Sequence, residues 1–368
     1  MQELDLEKIR QEIDKVDQQL ADVLESRLHL VMQVAAYKKS KGLPVKDKNR
    51  EAKVIEKVAG FLENKAVKNI MRGIIDQACL LEETALSEAN DKTYEVACFG
   101  PAGSFTHQAL EEYFHGRRYN RHHFQTFEEV ISSISDGTMD YAVLPIENSS
   151  TGGITEVYDL LRQYDCSIVG EQCVKIEQNL LGCEGASLST IKTVYSHPQG
   201  LKQCADFFHD YPDIEQVPYF STSKSAEEVA EKQDVSLGAI AGKQAAELYN
   251  LKVIAPAINS NSNNYTRFVI IAKKPEIVAN ANKITLIVAV KHETGSLYKM
   301  LASFYHMGLN MLNLESRPIV GKTWEYFFYI DVTGNLADPL VIDVMEEIKS
   351  KSTYCKVLGN YRAYERKE

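Results

Sequence analysis

Positive charge is scarce in this chain. Lys and Arg number 41 against 51 Asp and Glu in 368 residues, a formal net charge of −10. That balance argues against nucleic acid as a partner, because phosphate binding needs a basic face. Small anionic ligands would require the cations to be concentrated locally. No apolar run is long enough to span a membrane, and the acidic opening Met1-Gln2-Glu3-Leu4-Asp5 does not suit a signal peptide, so a cytoplasmic location is expected. The seven cysteines are scattered, odd in number and never spaced as C-x-x-C or as Cys/His ligands, and are expected to be reduced thiols, mostly in the core. Gly100-Pro101-Ala102-Gly103 lacks the Gly-Lys-Ser/Thr ending of a Walker loop, and no dinucleotide fingerprint occurs. Neither a metal nor a nucleotide cofactor is implied.

What is present is ordinary for a soluble globular protein, 44% hydrophobic and 25% charged, with length for two or three domains. The run Tyr141 to Gly153 joins an apolar strand, a carboxylate, an amide, three hydroxyls and two glycines. Tyr141 to Leu144 read as a buried strand that Pro145 stops, with the polar cluster at its carboxyl end before a helix over Ile154 to Tyr164. In open α/β sheets ligands bind at that edge. A helix cap built on Ser150 or Thr151 is the competing reading. A second polar cluster, Asn263-Asn264-Tyr265-Thr266-Arg267-Phe268, opens the strand Phe268 to Ala272, and the two clusters are expected to form two walls of one site.

From Asp5 to Lys39, apolar residues at Ile9, Ile13, Val16, Leu20, Val23, Leu24, Leu28, Val31 and Val34 keep helical spacing. Further helices are expected over Asp47 to Leu62 and Ala66 to Glu88. Three helices without a strand cannot bury that stripe in a monomer, so a partner chain is expected. Arg27 continues the packed series, where a guanidinium is costly without an anion. Lys38 lies eleven residues on, within about 20° of rotation and about 16 Å along the axis, so both side chains converge on a small ligand. Arg10 is about 25 Å from Arg27 along a straight helix and would serve that site only from another subunit. Asp47, Arg50 and Glu51 share a face of the second helix, and Ala78 and Glu82 one of the third. Taken singly, surface ion pairs explain these charges.

The pattern changes near residue 92 to alternating strands and helices, an α/β region of two lobes around a cleft. Lys273 to Asn282 reads as a linker. Beyond it the expected order is βαββαβ, the ferredoxin-like arrangement.

Gly100 to Thr106, Tyr141 to Gly153, Tyr195-Ser196-His197-Pro198-Gln199 and above all Thr266-Arg267-Phe268 resemble the prephenate dehydratases. The ensemble Arg10, Arg27, Lys38, Asp47, Arg50 and Glu51 resembles the site of the all-helical chorismate mutases. Thr294-Gly295-Ser296-Leu297 and Glu315-Ser316-Arg317-Pro318 match the two signatures of the ACT domain attached to the dehydratases. Three modules in this order resemble the bifunctional chorismate mutase/prephenate dehydratases of phenylalanine biosynthesis. The resemblance implies a multidomain chain: an all-α mutase domain over 1–91, a two-lobed α/β dehydratase domain over 92–273 and an α+β ferredoxin-like ACT domain over 282–368.

It also implies roles. Arg10 from a partner, Arg27 and Arg50 would clamp the carboxylates of chorismate, Lys38 would also donate to its ether oxygen, and Asp47 and Glu51 would hold the ring hydroxyl. Ala78 stands where the mutases often have serine, and Glu82 where a glutamine often donates to the ether oxygen. An ionised Glu82 has no proton to donate. In the dehydratase site Thr266 would be catalytic, as a hydrogen-bond donor to the departing hydroxyl of prephenate, with a proton from Glu147 or His197. Ser104, Asn148, Ser149, Ser196 and Gln203 would bind prephenate. Arg267 is either a substrate contact or a buried structural ion pair, and a lone His197 is more commonly a satisfied core histidine. Gly295, Ser296, Leu297, Asn310, Glu315, Ser316 and Arg317 would bind L-phenylalanine, an inhibitory effector, between subunits of a homodimer or higher homo-oligomer. Two alternatives stand beside this reading. One is a monofunctional dehydratase whose helical region only dimerises, and the other a non-catalytic amino-acid-responsive binding protein.

Overall fold

A computed structural model of the chain describes residues 6–41, 74, 78, 92–276, 278 and 280–365. They belong to two compact units, Met1–Lys92 and Thr93–Glu368. In the first, helix α1 (Leu6–Lys41) runs unbroken for 36 residues. Along its apolar stripe Ile13, Val16, Leu20 and Val23 are all more than half exposed, whereas Leu24, Leu28 and Val31 are half-buried. Of the two further helices expected here, Ile74 and Ala78 are helical and Ala78 is buried, while the rest lies outside the described residues.

The second unit holds three sheets. In the first sheet β1 (Tyr94–Phe99), β2 (Tyr119–Phe124), β3 (Tyr141–Asn148), β5 (Ser167–Lys175) and β11 (Tyr265–Ala272) lie in the order β2-β1-β3-β11-β5, with the short β4 (Gly152–Gly153) folded back on β3. The strands β2, β1 and β3 are parallel, and β11 is antiparallel to both neighbours. Helix α2 (Phe105–Tyr113) packs on one face, over Val143, Phe268 and Ile270. Helices α3 (Phe127–Ser135) and α4 (Thr155–Gln163) pack on the other, over Leu144, Val269 and Ile271. Both faces of β3 are therefore buried, which is why its sequence is an apolar run without alternation.

After β5 the chain leaves this sheet and builds a second one. There β6 (Asn179–Gly182), β7 (Thr193–Ser196), β8 (Glu215–Pro218), β9 (Leu237–Ala241) and β10 (Lys252–Ala255) lie in the order β10-β6-β9-β7-β8. Helices α5 (Pro198–Gln203), α6 (Ala205–Asp210), α7 (Thr222–Lys232) and α8 (Lys243–Leu248) accompany it. The chain then returns as β11, inserted between β3 and β5.

The third sheet is built from β12 (Lys283–Ala289), α9 (Ser296–His306), β13 (Met311–Pro318), β14 (Tyr326–Thr333), α10 (Pro339–Lys351) and β15 (Tyr354–Tyr361). Its order is β13-β14-β12-β15, antiparallel throughout. One face carries α9 and α10, and the other contributes Ile287, Tyr329, Leu358 and Tyr361 to the core over β3 and β11. Gly359 permits this close docking, since a Cβ there would lie 2.1 Å from the carbonyl oxygen of Ile168 on β5.

Several expectations are revised. Pro145 does not stop β3, which continues to Asn148. Strand β1 pairs with β3 only as far as Val143, so no ladder partner on that side needs the N–H that Pro145 lacks. The segment after Ser196 forms two short helices, α5 and α6, that meet at Cys204. Strands β2, β6, β8, β9 and β10 and helix α3 were not expected, although Thr126 and Glu129 form a capping box directly before Val130 and Ile131.

Candidate active site

Strands β3 and β11 bring the two polar clusters together. Their register pairs Thr266 with Asn148 and Arg267 with Glu147, and it shifts between Arg267 and Phe268. The extra residue is Ile146, a bulge. Leu144 and Ile146 point to the face carrying α4, and strict alternation would put Asn148 there too. The bulge moves Glu147 to that face and Asn148 to the opposite one, beside Thr266. The two clusters thus form one continuous wall rather than two facing walls, because adjacent strands of one sheet carry them.

Asn148 organises this wall. Its Oδ1 accepts from the backbone N–H groups of Ser150 and Thr151 at 3.0 and 3.2 Å. Those donors fix the amide orientation. Its Nδ2 therefore donates, at 2.7 Å to Asn264 Oδ1, 2.9 Å to Thr266 Oγ1 and 3.2 Å to the Tyr265 carbonyl. A threonine oxygen that accepts this bond keeps its own proton for another acceptor, and no described protein group takes it. Thr266 and Asn148 are both buried. Ser149 joins the clusters again, its Oγ donating to the Asn263 carbonyl at 3.2 Å and accepting from Tyr265 N–H at 2.9 Å. Ser150 and Thr151 are thus engaged by Asn148 instead of capping α4, whose N-cap is Ile154 with no side-chain bond.

The second sheet faces this wall through α5. Gln199 Nε2 donates to Thr151 Oγ1 at 3.4 Å, and Asn261 Nδ2 to Ser150 Oγ at 3.0 Å. Just before α5, Ser196 is fully buried with its hydroxyl donating to the Ile240 carbonyl at 2.9 Å. His197 is the N-cap of α5, its Nδ1 accepting from Gln199 N–H at 3.2 Å, and burial lowers its pKa. Gln203 accepts through Oε1 from Gln178 at 3.1 Å, at the crossover between sheets. Ser104 caps α2, accepting from His107 N–H at 3.3 Å. His107 in turn accepts through Nδ1 from Gly103 N–H at 2.8 Å, and burial pushes its pKa down to about 4.

Arg267 and Glu147 lie on the other face. The guanidinium meets Glu147 at 2.9 Å, Asp331 at 2.8 Å and Glu171 at 3.3 Å, and Lys283 meets Glu171 at 2.8 Å. Lys283 and Asp331 belong to the third sheet. Burial opposes the charge on Arg267, yet Asp331, Tyr361 and Glu171 outweigh it and hold its pKa above the ordinary arginine value. Arg267 is thus the buried ion pair of the two readings. Glu147 is turned away from Thr266 and is not placed to hand it a proton. The groups gathered beside Thr266 are amides and hydroxyls, not the concentrated cations expected for an anion.

In the first unit, Arg27 is half-buried and its Nη1 has no acceptor among the described residues. Lys38 is half-buried as well, and Arg10 is exposed. Asp47, Arg50, Glu51 and Glu82 lie outside the described residues. In the third sheet Gly295 adopts φ +79° before α9, the left-handed conformation that glycine tolerates. A cleft of about 400 Å³ opens there between Thr294, Ser296 and Leu297 on one side and Trp324, Tyr326 and Phe328 on the other. Asn310, Glu315, Ser316 and Arg317 do not line it. Asn310 is tied to Thr333, and Arg317 forms an ion pair of 2.7 Å with Asp159 on α4.

Asn264 belongs to this wall as well. Asn264 stands two before Thr266, and the period of two in an extended chain places both on one face.

A sequence model of the prephenate dehydratase family matches residues 96–276, and one of chorismate mutase type II matches residues 9–83. The chain is 32% identical over 368 residues to a bifunctional chorismate mutase/prephenate dehydratase of Aquifex aeolicus (strain VF5), covering 97% of this chain and 98% of that one. The solved structure of a prephenate dehydratase from Arthrobacter aurescens in complex with L-Phe superposes with a TM-score of 0.67 at 29% identity, over 73% of this chain and 90% of that one. GqqA, described as a novel type of quorum quenching acylase, superposes with a TM-score of 0.66 at 28% identity, over 73% of this chain and 98% of that one. Two differently described activities on one fold show that the fold alone does not select the chemistry.

Proposed function

Because the chain belongs to the bifunctional chorismate mutase/prephenate dehydratase family, we propose that its two reactions divide between residues 1–91 and residues 92–273. The chain converts chorismate to prephenate and prephenate to phenylpyruvate, with loss of water and carbon dioxide, in L-phenylalanine biosynthesis. The observation that carries this is likeness to bifunctional relatives over both regions, which disfavours a dehydratase with a merely dimerising arm.

The mutase reaction is a pericyclic rearrangement that needs no nucleophile. The protein folds the dianion into its reactive conformer and stabilises charge on the breaking ether bond. Arg27 supports this reading, since a half-buried guanidinium with an N–H unmatched among the described residues suits a carboxylate. Lys38 is its neighbour on α1, and Arg10 acts from a second chain that covers the exposed stripe. Asp47, Arg50, Glu51 and Glu82 complete the set.

For the dehydratase step, Thr266 donates to the departing ring hydroxyl while aromatisation drives loss of carbon dioxide. Asn148 orients it by occupying its acceptor side. Ser149 and Ser104 hold the loops of the first lobe, and Ser196, His197 and Gln203 those of the second. The ultimate proton reaches Thr266 from the cleft side, because Glu147 is engaged behind the sheet.

Residues 282–368 form a ferredoxin-like ACT domain that binds L-phenylalanine and inhibits the dehydratase. The βαββαβ order and the glycine at the start of α9 support this. Gly295, Ser296 and Leu297 offer a loop at a helix N-terminus to the amino-acid carboxylate. Asn310, Glu315, Ser316 and Arg317 meet the ligand from a second copy paired along the edge strand β13, whose Leu312 and Leu314 are exposed. The protein acts in the cytoplasm as a homodimer or higher homo-oligomer.

One experiment tests the whole reading. Purified chain is incubated with chorismate while prephenate and phenylpyruvate are followed, with and without phenylalanine. Both products are expected in succession, the second suppressed by phenylalanine. Chorismate left intact while added prephenate is consumed would establish the monofunctional alternative.

A further inference from the structure

The orientation of Asn148 propagates one residue further. Backbone donors fix its Oδ1, so its Nδ2 is the donor, and Asn264 must present Oδ1 to receive it at 2.7 Å. The Asn264 NH2 group is thereby turned away from Asn148. Asn264 is only 1% exposed, and no acceptor among the described residues takes its Nδ2. That nitrogen is not among the fully enclosed unpartnered side-chain atoms of the described residues, so it stays open to solvent and free to meet a ligand.

Its location identifies the ligand atom. Asn264 and Thr266 lie on one face of the chain, both within reach of a single Asn148 amide, at 2.7 and 2.9 Å. Thr266 has a hydroxyl proton with no protein acceptor. Each residue keeps an unspent donor, and one oxygen with two lone pairs can accept from both. The oxygen that departs in the dehydration is of this kind, and it gains negative charge as its bond to the ring breaks.

Resting on the dehydratase reading above, we propose that Asn264 is a second catalytic donor, its side-chain NH2 binding the same departing hydroxyl oxygen of prephenate as Thr266. The bond to the leaving oxygen strengthens as charge accumulates, so the contact favours the transition state over bound substrate and acts on kcat more than on KM. The proton that completes water still comes from elsewhere in the cleft.

The test uses the full-length chain. Asn264→Asp keeps an oxygen for Asn148 and removes the donor, unless the new carboxyl is protonated. Phenylpyruvate formation from prephenate is followed from pH 5 to 9, with melting temperature and mutase turnover measured on the same preparations. At pH 8 the expected result is a kcat at least 100-fold below wild type with KM within threefold. The deficit should shrink toward pH 5 as a carboxyl O–H replaces the lost N–H. Melting and mutase turnover should match wild type. A kcat within threefold of wild type overturns the proposal, as does a loss confined to KM, or an unvarying loss accompanied by a fall in melting temperature. If Asn264→Asp does not fold, Asn264→Ser decides: a loss of tenfold or more in kcat alone supports the contact, and unchanged kcat refutes it. Wild-type chain that leaves prephenate unconsumed would instead refute the dehydratase reading itself.

Discussion

Replacing Arg267 by Met should unfold the second unit more than it weakens substrate binding. Arg267 sits beside Thr266 in sequence, yet its guanidinium meets Glu147, Glu171 and Asp331 behind the sheet. The Glu171 and Asp331 side chains are only 3% and 4% exposed. Without Arg267 they share a single cation, Lys283, which lies 3.7 Å from Asp331. Removing one member of a buried ion cluster costs about 3–5 kcal/mol, because the remaining charges stay desolvated. In a unit of this size each kcal/mol lowers the melting temperature by roughly 2–4 °C, so a fall on the order of 10 °C is expected. Arg267→Lys should recover only part of it, since one ammonium cannot bridge Glu147 and Asp331 as a planar guanidinium does. The assay is urea and thermal unfolding of the full chain beside dehydratase kinetics at a temperature where both variants are folded. Unchanged stability together with a tenfold or greater rise in KM for prephenate would show that Arg267 binds substrate, and would sink the argument.

Thr266→Val should abolish phenylpyruvate formation and leave mutase turnover intact, and equal loss of both activities would count against separate sites. His107 gives a pH signature: its pKa is lowered from 6.5 to about 4 by burial, so its contribution to stability is complete above pH 6.5 and is lost as the pH falls toward 4. The urea midpoint of wild type should decline over that window, and His107→Asn, which keeps an acceptor near Gly103 N–H, should flatten the decline. Mutase rate should fall as pH rises from 5 to 9, unless burial keeps Glu82 protonated, because an ionised Glu82 has no hydrogen to give the ether oxygen, and Glu82→Gln should level the profile. A wild-type rate constant across that range would contradict the assignment.

Much of this protein was legible without coordinates, for reasons that are local. Helix α1 follows from unbroken helical periodicity, and β3 and β11 from short apolar runs bordered by turn residues. The βαββαβ order of the C-terminal region follows from segments that differ in period and length. The family was readable from Thr266-Arg267-Phe268 and its companion motifs, since a motif is a property of neighbouring residues. Elements whose signal was weak were missed: β2, Tyr-Asn-Arg-His-His-Phe, has too few apolar side chains to announce a strand and is held by pairing with β1.

Which way a side chain faces was not legible. A one-residue bulge at Ile146 sends Glu147 behind the sheet and Asn148 to the front, and sequence spacing does not reveal an inserted residue until the partner strand sets the register. Pro145 looked like a strand end because the absence of β1 beyond Val143 is a fact of assembly. Arg267 looked like a substrate clamp as readily as a structural ion, because Asp331 and Lys283 reach it only when the third sheet docks on the first. Composition and periodicity chose the elements and the chemistry available to them. Strand register and sheet docking, which depend on residues far apart in the chain, decided which of those groups meet a ligand and which hold the molecule together.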